Sequence, residues 1–134
     1  MDADEFKLRT KRFALGVIGL TEQLPTGRTS DVIGRQLLRS GTSVGANYRA
    51  ASRAQSPASM LAKLAIVEEE ADECLYWLEL LVESRLLRSE ETQALRREAS
   101  QILAMTVASK KTLRGRIRPG APRQSTIDNR QLPS

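Results

Sequence analysis

Apolar residues return every three or four positions through four long stretches of this chain, and turn signals fall between the stretches rather than inside them. From Asp4 to Leu24 the repeating positions are Phe6, Phe13, Val17, Leu20 and Leu24, with Thr10 filling one gap, and Pro25-Thr26-Gly27 stops the pattern. Ser30 or Asp31 can cap a second helix, in which Ile33, Leu37, Val44, Tyr48 and Ala51 keep one face as far as Arg53. Ser56-Pro57 opens a third, because serine accepts from free backbone amides and proline gives up an N–H that has no partner there. That helix is expected to run to Leu87. Ser89, Glu90 and Glu91 open a fourth, acidic at the positive end of its dipole, with Leu95, Ile102, Met105 and Leu113 as its stripe. Short connections force antiparallel neighbours, so the pattern predicts an up-down-up-down four-helix bundle over residues 1–114. Residues 115–134 lose the periodicity and contain three prolines, and they are expected to form a disordered basic tail.

Composition agrees with helix packed on helix. The 134 residues are 40% hydrophobic, 28% charged and only 4% aromatic, enough for one modest core and the signature of an all-α single domain. One cysteine and no apolar run behind a basic start give no disulfide framework or secretory signal, so a cytoplasmic location is expected. No stretch approaches the roughly 18 uninterrupted apolar residues of a membrane span, and a membrane partner is not expected.

Helix two departs from the pattern in its small residues. Gly34, Gly41, Gly45 and Ser52 fall together on its flank at about 100° per residue. Each glycine costs roughly 1 kcal/mol of helix propensity, which close approach of another helix backbone can recover; a flexible kink is the alternative. The run Gly41-Thr42-Ser43-Val44-Gly45 is no phosphate loop, since the Lys-[Ser/Thr] ending and the preceding strand are both missing.

Arg35, Arg39, Arg49 and Arg53 lie in one sector of helix two, roughly opposite its apolar face. On helix three, Leu64, Val67, Ala71, Cys74, Leu78 and Leu81 make a core seam, while Ile66, Trp77 and Leu80 share the other face with Glu69, Glu70 and Glu73. Pro25 to Gln55 holds five arginines and one aspartate, whereas Ser56 to Arg88 holds three basic and seven acidic residues. Apolar residues among carboxylates suggest a protein interface. These surfaces predict contact between chains, with Arg39, Gly41, Gly45, Arg49, Glu70, Glu73 and Trp77 at a homo-oligomer interface. For the arginines, an ordinary solvated face remains the alternative.

The stretch RQLLRSGTSVGAN from Arg35 to Asn47, followed by YRAASRAQSPASMLAKLAIVEEEADECLYWLELL from Tyr48 to Leu81, resembles the signature of the four helix bundle protein family, also called the 23S rRNA intervening-sequence family. The likeness covers roughly Phe6 to Arg114, with Arg39, Ser40, Gly41, Ser43, Gly45, Ala46 and Asn47 matching in helix two and Glu70, Glu73, Trp77 and Leu78 in helix three. It implies an up-down bundle assembled into homopentamers. More distantly it extends to the accessory protein of diversity-generating retroelements, which implies a basic pentamer that binds a reverse transcriptase and nucleic acid.

Catalysis is not expected. The absence of histidine removes the commonest general base and the usual zinc ligand. Glu70 and Glu73 alone cannot complete a carboxylate di-iron site, which needs Glu-x-x-His on two helices, so no cofactor or metal is expected. Two binding readings compete. With a pI near 9.9 and a net charge of +5, the chain reads as a nucleic-acid-binding ring, its phosphate contacts coming from Lys110, Lys111, Arg114, Arg116, Arg118 and Arg123. Lys7 and Lys11, beside Arg9 and Arg12, add a second patch. No aromatics interleave with these cations, so contact is expected with backbone phosphate rather than with stacked bases, in RNA or DNA. The other reading is a homo-oligomeric scaffold or adaptor for a protein partner such as a reverse transcriptase.

Overall fold

A computed structural model describes residues 2–117, and there the four stretches are four α-helices: α1 (Ala3–Glu22), α2 (Arg28–Ser52), α3 (Pro57–Glu83) and α4 (Ser89–Ile117). Each starts or stops for a local reason. Asp2 accepts from the Glu5 amide and Glu5 reaches back to the Asp2 amide, a reciprocal capping box that opens α1. Ser56 caps α3 through the Ser59 amide, as its sequence predicts.

Three boundaries differ from the expectation. Neither Ser30 nor Asp31 caps α2; Gly27, extended at φ 158°, precedes the helix, Ser30 is buried inside it, and Asp31 pairs with Arg35 one turn on. At the second correction, α3 stops at Glu83 rather than at Leu87. Arg85 takes a left-handed φ of 66°, and the amides of Leu86 and Leu87 both donate to the Leu81 carbonyl, which turns the chain so that Leu87 re-enters the core. The last helix continues through Gly115 to Ile117, past the point where its periodicity fades.

Neighbouring helices run antiparallel in the order α1, α2, α3, α4, and α4 returns to α1 over a smaller surface. Val17, Leu37, Val44, Leu64, Val67, Leu78, Leu81 and Ile102 are sealed from water at the centre. The small residues of α2 explain how tightly α1 sits on it. A Cβ on Gly41 would lie 2.8 Å from a methyl of Val17, and one on Gly45 would lie 3.2 Å from Thr10 Oγ1. The close approach expected of this flank is therefore made by α1 of the same chain, and α2 is continuous from Arg28 to Ser52.

Candidate functional site

Arg39 reaches across the α2–α3 seam. Its guanidinium lies 3.2 Å from a Glu70 carboxylate oxygen and also bonds Glu73, whose other donor is Trp77 Nε1 at 2.9 Å. The pairing predicted between chains is thus already made between neighbouring helices of one chain. Both carboxylates once considered for a metal face an arginine instead. The indole N–H and then Arg39 hold the Glu73 carboxyl below its ordinary value of 4.5, while the two carboxylates push the guanidinium up.

Trp77 is half-buried and packs onto the core together with Leu80, and its ring meets Tyr76 edge-on at 5.0 Å. Tyr76, 53% exposed, is the aromatic that this face offers to water. Cys74 lies in the sealed seam, where burial pushes its thiol up to about 11 and Ser40 Oγ accepts its weak hydrogen bond at 3.4 Å.

The predicted phosphate-binding residues divide into three groups. Lys110 is held by Glu68 at 2.7 Å with its side chain largely covered, so its charge is engaged within the bundle. Lys7 lies 3.8 Å from Asp4, and its neighbour Arg9 is clamped to α4 by Glu98 and Gln101. By contrast, Lys11, Lys111, Arg114 and Arg116 make no ion pair among the described residues and are exposed. Arg118 and Arg123 lie outside the described residues, as does the rest of the expected tail beyond residue 117.

The topology gathers these cations. Because neighbours are antiparallel, the first halves of α1 and α3 share one end of the bundle with the second halves of α2 and α4, as the edge-on contact of Phe6 with Tyr48 shows. Residues 2–12, 41–70 and 103–117 hold eleven basic and six acidic side chains, whereas 13–40 and 71–102 hold seven basic and nine acidic. One end is a basic pole. Sequence reasoning did not assign Lys63 to a phosphate surface; it joins Lys11, Arg12, Arg49, Arg53, Lys111, Arg114 and Arg116 there, none of them ion-paired among the described residues.

A second group missed in the sequence is apolar. Leu8, Leu15 and Ile18 stand 47%, 60% and 38% exposed on the outside of α1. Their signal was present, at steps of seven and three beside the buried Phe6, Phe13, Val17 and Leu20.

This arrangement of four antiparallel helices has relatives. A family model described as 23S rRNA-intervening sequence protein matches residues 5–108. The chain belongs to the 23S rRNA-intervening sequence protein family. Within its fold, a solved protein of unknown function from the S23 ribosomal protein family of Bacteroides thetaiotaomicron is 34% identical to this family member, covering 83% of this chain and 99% of its own with a TM-score of 0.77. No curated protein matches. Among the described residues, no helix of this family member is long and apolar enough to cross a membrane.

Proposed function

We propose that this chain is a non-catalytic, self-assembling accessory protein that binds RNA or DNA through the basic pole of its bundle. The concentration at that one end of Lys and Arg that form no ion pair among the described residues carries the reading. Flexible cations without internal partners neutralise phosphate at little cost to the fold, and each neutralised phosphate releases condensed counterions. The family description refers to 23S rRNA-intervening sequences and the solved neighbour to a ribosomal protein family, which favours RNA as the first ligand to test. The exposed Leu8, Leu15 and Ile18 support self-assembly, and the family resemblance suggests five copies. Several poles on one assembly add avidity wherever a strand can reach more than one of them.

Fluorescence anisotropy with labelled duplex and single-stranded RNA and DNA tests this. Affinity is expected to fall steeply between about 50 and 200 mM salt. Changing Lys111, Arg114 and Arg116 together to Glu is expected to weaken binding at least tenfold, roughly the loss of three phosphate contacts and the gain of like-charge repulsion. Undiminished binding by that variant moves the site off the pole. Absence of binding by the unaltered protein at low salt leaves the scaffold for a protein partner as the function.

A further inference from the structure

Two outward faces of the bundle are complementary, and the bundle uses neither. The first is a groove of about 510 Å³ between α1 and α2, with Leu8, Ala14 and Ala46 along it and Lys7, Lys11 and Arg49 among the charges at its rim; Asp4 is the acidic residue there. Leu15 and Ile18 prolong its apolar side along α1, so that Leu8 to Ile18 spans about 15 Å at the helical rise. The second is the outer face of α3, where Tyr76 stands among Glu69, Asp72, Glu79 and Glu83. These four carboxylates are exposed and form no ion pair among the described residues, and Glu69 to Glu83 spans about 21 Å.

Each face has what the other lacks. One is an apolar trough with a cationic rim, and the other is an aromatic ridge flanked by carboxylates. They cannot meet within one chain, because α1 and α3 occupy opposite corners of the bundle with no close backbone approach between them, and both faces point outward.

We propose that the α1–α2 groove of one chain receives the outer face of α3 from a second copy, head to tail. The inference rests on the self-assembly part of the proposed function and specifies its two surfaces. Burial of Tyr76 against Leu8 and Leu15 supplies the apolar driving force, and the charged rims set orientation and register. The contact joins unlike patches, so each added copy presents a fresh groove or a fresh ridge until the chain of copies closes on itself. It also replaces the inter-chain role first assigned to Arg39, Glu70 and Glu73 with Lys11, Arg49 and the outer carboxylates of α3, which form no ion pair among the described residues.

Charge exchange tests it. One variant carries Lys11→Glu and Arg49→Glu, a second carries Asp72→Arg and Glu79→Arg, and a third carries all four; every position is exposed, and circular dichroism checks that each variant folds. Sedimentation velocity at micromolar concentration is expected to show assembly of the unaltered protein. The first two variants alone should lose at least about a hundredfold in association constant, since like charges then face each other, and the third should recover assembly. If the two-site variants assemble like the unaltered protein, or the four-site variant fails to recover, the face assignment is overturned while self-assembly stands. A monomeric unaltered protein overturns both.

Discussion

Gly41 and Gly19 are the same residue type in adjacent helices with opposite expectations for substitution. A Cβ at Gly41 would press against all three side-chain carbons of Val17, a β-branched side chain sealed in the core, whereas one at Gly19 would meet nothing within 4 Å. Overpacking costs about 1–3 kcal/mol and exceeds the helix propensity gained from alanine, so Gly41→Ala is expected to destabilise by about 1 kcal/mol. Gly19→Ala is expected to stabilise by up to about 1 kcal/mol, the propensity gain alone. Urea denaturation of the two variants measures the contrast. Glu73 offers a test in pH. Its folded pKa lies below 4.5, held there by the Trp77 indole and then Arg39, so the stability it contributes is complete above 4.5 and is lost as the pH falls through the lower folded value. Denaturation curves of the Glu73→Gln variant are therefore expected to lie furthest from those of the unaltered protein near neutrality and to converge with them well below pH 4.5.

Among the elements, α1 is the least securely held, because it packs broadly on α2 but meets α4 over a small surface. Arg9 makes much of that second contact, through Glu98 at 3.0 Å, Gln101 and Met105. Arg9→Ala removes charge-assisted bonds and leaves Glu98 partly covered, an expected loss of about 1–2 kcal/mol. Hydrogen exchange should then accelerate first in the amides of α1, ahead of those in α2 and α3. All four helices were legible in the sequence because buried residues repeat with the helical period, and Phe6, Val17, Leu64 and Ile102 occupy the predicted core. The end of α3 was not legible. It depends on Arg85 adopting a left-handed conformation that lets Leu87 return to the core, and no glycine marks the place. The partner of Arg39 was hidden for another reason: a projection of one helix gives a side chain's angle about its own axis but does not say which helix stands there. Leu8, Leu15 and Ile18 could have been read as a second stripe, yet only the packed bundle shows that nothing among the described residues covers them.

The basic pole belongs to the whole molecule. Each of its cations was visible in the sequence, but Lys11, Arg49, Lys63 and Arg114 are far apart along the chain and share an end only because the helices alternate in direction. That alternation has another effect. With α1 and α3 pointing one way and α2 and α4 the other, the backbone dipoles largely cancel, and the separation of positive from negative charge along the bundle is left to the side chains. In the field of an extended polyanion such a body experiences a torque before it makes any contact. Within roughly the 8 Å over which physiological salt leaves fields unscreened, that torque favours approach by the basic end over approach by the side.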